Sequence, residues 1–292
     1  MPVGGWCQPS GVREVFLGSE ALAQGRLTEY ELRRRHQAIF RDVFVRKGYE
    51  PSLRDRIEGA WLRSGRRGVI AGIAASALHG AQWVDDDVPI ELIWGNTRPP
   101  RGLVARDETV ADDEITRVAG LPVTTPARTA YDLGRHLARG QAVARLDALM
   151  RATPFSIEDV LLLFKRHAGA RGIRRLRAVL PLVDAGAASP KETWLRLLLI
   201  DAGLPVPETQ IPVHANWRLV GVLDMGWEAY KVAAEYDGDQ HRSDRYRYVR
   251  DQRRLRKLAE LGWIIVRVIA EDRSDEIVTR ARDALLARGW RA

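Results

Sequence analysis

The order of apolar and polar positions divides the chain into a mixed front part and a strand-rich back part. Val12–Gln24 is apolar at helical spacing (Val12, Val15, Phe16, Ala21, Leu22), and Gly25 suits its C-cap. Thr28-Glu29-Tyr30-Glu31 has the form of a capping box and predicts a short helix over Glu29–Arg35. Ala38–Val45 is rich in Val and Phe and predicts a strand. Helix, turn, short helix and strand outline a winged helix-turn-helix over 12–50. A small mixed α/β region is expected over 51–150. It has an amphipathic helix at Leu53–Ser64, a small-residue helix at Gly72–His79, and strands at Pro89–Trp94, Leu103–Ala105 and Ile115–Val118. Thr125-Pro126 then opens a helix over Ala127–Leu137, and Gln141–Met150 follows. Ile157–Phe164 and Arg171–Val183 read as a helical linker over 151–187.

From Ser189 the pattern changes. Ser189-Pro190-Lys191-Glu192 starts a helix that runs to Ala202, with Glu192 where a capping box wants it. Thr209–Val213, Val220–Met225 and Lys231–Tyr236 are strands, the last two joined as a hairpin. Arg245–Leu261 is a helix, Trp263–Val268 a buried strand and Ser274–Ala287 an amphipathic closing helix. The expected fold class is mixed α/β in two parts.

Composition narrows the partners. The 292 residues suit two domains, and 46% hydrophobic with 29% charged residues suits a buried core. One cysteine, Cys7, leaves no intrachain disulfide and no Cys-based zinc module, which fits a reducing cytosol. A formal net charge of +8 and a sequence pI of about 10.0 favour an anionic partner, nucleic acid first. No apolar run reaches the roughly 20 residues of a membrane helix, and MPVGGWCQPSG lacks the regions of a signal peptide. A cytoplasmic protein without a membrane partner is expected.

The chemistry gathers between Val220 and Val268. Two apolar strands end in acids: Asp224 in the first, Glu235 and Asp237 in the second. With Glu228-Ala229 as the hairpin turn, Glu235 lies opposite Val222, and Asp224 and Asp237 share its face. A slip of one residue would send Asp224 to the other face. Such carboxylates repel one another unless a cation sits between them, and hard oxygen ligands select Mg²⁺ or Mn²⁺. Read singly, Asp224 and Asp237-Gly238 are turn residues, His241 a loop histidine and Glu192 a helix cap. Read together, they are a metal site with His241 as general base or water holder. Arg245, Arg247, Arg250, Arg253, Arg254, Arg256 and Lys257 crowd the following helix. Their bland reading is a solvated face; the sharper one is phosphate contact, through Arg254 or Lys257 above all. At the front, Arg33 and Arg34, with Arg35 and His36, end the second helix of the winged-helix outline. They read equally as a DNA-contacting end or as a solvated basic face.

Two resemblances follow from these motifs. LTEYELRRR, FRDVFVRKG, VIAGIAASALHGAQW and GLPVTTPARTAYDLGRHL resemble the AbiEi-type regulatory region of actinobacterial proteins over roughly 12–150. That resemblance implies DNA binding or regulation and brings no catalytic motif. Asp224, then Glu235-Tyr236-Asp237-Gly238-Asp239-Gln240-His241, then Asp251-Gln252-Arg253-Arg254, then Gly262-Trp263 resemble the small domain related to very-short-patch-repair (Vsr) endonucleases, within the PD-(D/E)xK superfamily, over about 188–290. The resemblance implies a restriction-endonuclease-like α/β core, a divalent ion, phosphodiester hydrolysis and a functional role for Glu192. The superfamily's usual Lys, two residues after the Glu, is Asp237 here. Vsr-like members also lack it, which leaves its charge to His241 and the basic helix.

The leading expectation is a metal-dependent DNA endonuclease, in repair or phage defence. Its ion is held by Asp224 and Glu235 with Asp237, its proton managed by His241, and its phosphate met by Arg254, Lys257, Arg250 and Arg247. The alternative is a non-catalytic DNA-binding regulator, antitoxin-like, with a degenerate nuclease fold. A homodimer and a toxin–antitoxin or defence-system partner complete the expected associations.

Overall fold

The computed structural model describes residues 15–95, 98–238 and 245–291. The fold is mixed α/β and divides into two compact units. One runs through Leu78 and from Val84 to Thr129; the other takes His79–Trp83 and everything from Ala130.

In the first unit β1 (Phe16–Leu17) leads into α1 (Gly18–Ala23) and α2 (Glu29–Arg35), followed by β2 (His36–Phe40), β3 (Val43–Arg46) and α3 (Leu53–Arg63). The Thr28 and Ser52 side chains each close a capping box, with Glu31 and Asp55, which fixes where α2 and α3 begin. Two expectations are corrected here. Phe16 and Leu17 are extended because they pair with Phe44 and Val43, so the first helix starts at Gly18. The single strand expected over Ala38–Val45 is a hairpin, turned at Asp42, whose φ is 67°. The three strands lie in the order β1-β3-β2.

Next come β4 (Val69–Ala71), α4 (Gly72–Leu78), β5 (Ile90–Ile93), β6 (Leu103–Arg106), β7 (Ile115–Val118) and β8 (Leu121–Thr124). These strands form one sheet in the order β6-β5-β4-β8-β7. Val15, Val43, Val45 and Ile57 share a core with Ile70, Ile90, Leu92 and Val123. The segment from β1 to α3 and the five-stranded sheet thus bury their apolar faces against a common interior. Inside this unit Arg128 is 1% exposed and paired with Glu114 and Glu108.

Helix α5 (Pro126–His136) carries the chain onward to α6 (Arg139–Ala152), α7 (Ile157–Arg166) and α8 (Ile173–Val179). Then follow α9 (Pro190–Asp201), β9 (Glu208–Ala215), β10 (Arg218–Trp227), β11 (Val232–Tyr236), α10 (Arg245–Glu260), β12 (Ile264–Val268) and α11 (Ser274–Ala287). The sheet order is β12-β11-β10-β9, with β11 and β12 parallel and the other pairs antiparallel. One core sets Leu195 and Leu199 of α9 and Ile277, Ala281 and Leu285 of α11 against Met225, Val232, Ala234 and Val268. A second cluster sets Leu258 of α10 and Trp263 with Ile211, Val213, Leu223 and Ala233. The sheet is therefore covered by helices, and its chemistry collects where Asp224, inside β10, meets the end of β11 beneath α10. Among the described residues no helix is long and apolar enough to cross a membrane.

Candidate functional site

The hairpin of β10 and β11 does not turn at Glu228-Ala229. A 3₁₀ turn at Glu228–Tyr230 and a left-handed Lys231 (φ 51°) lengthen it, and Trp227 pairs with Val232, Gly226 with Ala233 and Met225 with Ala234. The register is two residues from the expected one. Because strand faces alternate with period two, a shift of two keeps every side chain on its face. Continued one step, the register sets Asp224 across from Glu235. The Tyr236 amide donates to Asp224 Oδ2 at 3.1 Å.

Glu192 arrives from α9 through its cap. The Ser189 hydroxyl accepts from the Glu192 amide, while Glu192 accepts from the Ser189 hydroxyl and from the Ala188 amide at 2.8 Å. Capping holds its carboxylate beside Asp224. Burial pushes the Asp224 carboxyl up to about 7, and the negative charges of Glu192 and then Glu235 add to the push. Three of the sequence-predicted acids are thus brought together, and at neutral pH Asp224 is poised between charged and neutral.

The basic helix lies over the same acids. Arg254 donates Nη1 to Glu235 Oε1 at 2.8 Å and Nη2 to Oε2 at 2.7 Å, a two-pronged pair. Its Nε donates to Asp251 Oδ1 at 3.2 Å. These partners, the Glu235 hydrogen bond first, raise the Arg254 guanidinium above its ordinary value, so it stays charged. Its side chain crosses β10 at Gly221, where an added Cβ would lie 3.0 Å from Arg254 Cδ. Asp237 is taken up differently: it pairs with Arg267, which also lies 3.5 Å from Asp251. The parallel register that places Glu235 beside Arg267 explains why this cation reaches the site.

These groups line a cavity of about 980 Å³. Its walls include Asp224, Glu235, Asp237 and Asp251, and on the cationic side Arg250, Arg253, Arg254, Lys257 and Arg267. Arg250 and Arg253 are exposed, and Lys257 also pairs with Glu260 at 2.8 Å. His241 lies outside the described residues, as does the side chain of Arg247 on α10. Arg33 and Arg34 end α2 in the first unit. There Arg33 pairs with Glu29 at 3.3 Å, and Arg34 sits over the Tyr30 ring at 5.6 Å. Sequence reasoning passed over Gly221, named Arg253 only among the basic residues of the helix, and gave Arg267 no role at the site. Gly221 has no local signal, whereas a hydrophilic Arg in the apolar run IIVRV is a visible oddity.

In chemical terms the site can do two things. Its cations can hold phosphates, and Asp224 with Glu235 could hold a Mg²⁺ or Mn²⁺ ion once Arg254 is drawn off Glu235. The donor set, carboxylate oxygens only, fits such an ion.

Comparison with known proteins gives two findings. Residues 69–182 match the family model of the AbiEi antitoxin C-terminal domain. Two proteins described as uncharacterized, from two strains of Mycobacterium tuberculosis, are each 33% identical to this chain over 225 residues, covering 76% of this chain and 82% of the relative.

Proposed function

From a chain that belongs to one family with these Mycobacterium tuberculosis relatives, and that is similar to the AbiEi antitoxin C-terminal domain over residues 69–182, we propose a nucleic-acid-binding regulator of the antitoxin class. Its phosphate-holding surface is the cationic wall of the C-terminal cavity, and its partner is DNA. The observation that carries this reading is the pairing of two of the site's acids with arginines. Arg254 covers both oxygens of Glu235, and Arg267 covers Asp237. Arg250 and Arg253 remain exposed on the same wall. Phosphate contact by such a wall needs no metal.

The test is fluorescence anisotropy with duplex DNA in EDTA across a salt series. Binding is expected without divalent ions, with affinity falling steeply as salt rises. Arg250→Glu combined with Arg253→Glu should weaken it about tenfold or more and flatten the salt slope. Binding that requires Mg²⁺, or that ignores both reversals, would sink this reading.

A second reading has its own observation, the gathering of Asp224, Glu192 and Glu235 with Asp224 pushed up to about 7. In that reading residues 188–290 are a Vsr-like, PD-(D/E)xK-type nuclease domain. Asp224 and Glu235 would hold a Mg²⁺ or Mn²⁺ ion, which would supply Lewis-acid polarisation of a phosphodiester. Arg254 would leave Glu235 for the substrate phosphate, Glu192 would support Asp224, and His241 would manage a proton. Nicking of supercoiled plasmid with Mg²⁺, abolished by Asp224→Ala and by Glu235→Ala, would establish it. No nicking by the wild-type chain, with salt-sensitive binding retained, would leave the regulator.

A further inference from the structure

The β9–β10 hairpin ends in an aromatic ring that no other described residue covers. Ala215 pairs with Arg218, so Asn216 and Trp217 alone make the turn, with φ of 49° and 64°. A two-residue turn of this kind needs positive φ at both positions. Asn tolerates that backbone well, but a bulky side chain such as Trp does so at a cost. Trp217 is nevertheless fully exposed, at 101%, so no folded-state packing compensates for its position. Leu219 and Val222 continue the apolar surface along β10, 56% and 40% exposed.

The arm is continuous with the cavity, because Val220, Gly221 and Val222 line it opposite the arginines of α10. Charge indicates what the arm meets. From Thr209 to Leu223 it carries no Asp or Glu, and it does carry Arg218 and His214. An apolar tip on an acid-free arm beside a cationic wall matches a polyanion that also offers flat apolar faces. Nucleic acid has both: phosphates for the wall and bases for the ring.

We propose that the β9–β10 arm is a base-contacting wedge in which Trp217 stacks on a base of the nucleic acid whose phosphates occupy the cavity; this rests on the binding reading above. Val220, the nearest lining residue, is three positions along β10 from Trp217. At roughly 3.3 Å per residue Trp217 stands about 10 Å from the cavity lining. That is about three base steps at roughly 3.4 Å each.

The experiment compares the full-length wild-type chain with Trp217→Asn and Trp217→Phe, binding DNA with 2-aminopurine at successive positions. Asn suits the left-handed turn, so the variant should fold, which circular dichroism checks. Trp217→Asn should lower affinity roughly 5- to 100-fold, the range expected for loss of one stacked base. The salt slope should stay unchanged, since no phosphate contact is removed. Trp217→Phe should recover most of the loss, and 2-aminopurine emission should change at one or two adjacent positions only with an aromatic at 217. Equal affinity for Trp217→Asn, while Arg250→Glu with Arg253→Glu still weakens binding, would overturn the wedge alone. A lost dimer in light scattering, with DNA affinity intact, would assign the arm to contact between copies and also overturn it. No binding by the wild-type chain would remove the binding reading and the wedge together.

Discussion

Two arginine–carboxylate pairs in the second unit use the same chemistry to different ends. Arg196 of α9 donates to Asp147 of α6 at 2.8 Å, with the two side chains 3% and 1% exposed. The pair is closed. Asp147 also accepts from the Thr193 hydroxyl and the Asp184 amide, each at 2.8 Å, and Arg196 donates to the Leu182 carbonyl at 2.8 Å. Arg254 and Glu235 are as close, but Arg254 is 25% exposed and the pair faces a cavity with a further acid beside it. The closed pair ties the helices that end the AbiEi-like segment to the helix that begins the C-terminal sheet region. The open pair can exchange its partners. A charge pair is therefore read by its surroundings: ringed by its own fold it holds architecture, and facing a cavity it can trade partners with a ligand.

The largest expected effect breaks the closed pair. Arg196→Met leaves Asp147 buried without its cation and should cost about 3–5 kcal/mol, read in urea unfolding. A loss below about 1 kcal/mol would show that the interior there is wet. Asp224→Asn sharpens the comparison through pH. The Asp224 carboxyl is raised from an ordinary 3.8 to about 7. Between those values the folded chain holds a proton that the unfolded chain has released, so stability falls as pH rises through that window. Removing the titration should recover roughly 2 kcal/mol at pH 7 relative to pH 5. Asp147, pushed by burial up to about 6, should keep a smaller slope of the same sign in the variant. A pH profile unchanged by Asp224→Asn would show that Asp224 is solvated. The smallest effect on folding is expected from Arg254→Met, about 1–2 kcal/mol, because cavity water can take over part of its role. Its effect on DNA affinity should be larger than that of Arg196→Met in the folded protein. The reverse order would dissolve the distinction between the two pairs.

Much of the secondary structure was legible from local signals. Caps marked α2 and α9, and the apolar pattern marked α3 and, at Ser274–Ala287, α11. Short strands were less legible. Val69–Ala71 and Leu121–Thr124 were not read as strands, because three or four apolar residues look alike in helix, strand and loop. The acids of the site were named from sequence. Their partners were not: that Asp237 would go to Arg267, rather than to Asp224's side of the site, depends on the parallel pairing of β11 with β12.

The sequence by itself determined the mixed α/β class, the starts of α2, α3 and α9, the acids Asp224, Glu235 and Asp237, and the excess of positive charge. Those follow from properties local to a few residues or summed over all of them. Tertiary structure decided the register of the hairpin, the capture of Glu235 by Arg254, the burial that lifts Asp224, and the exposure of Trp217 beside a cationic cavity. Each of these depends on segments far apart in the chain meeting at a fixed distance, and on the water that meeting excludes. Local preference carries no information about either.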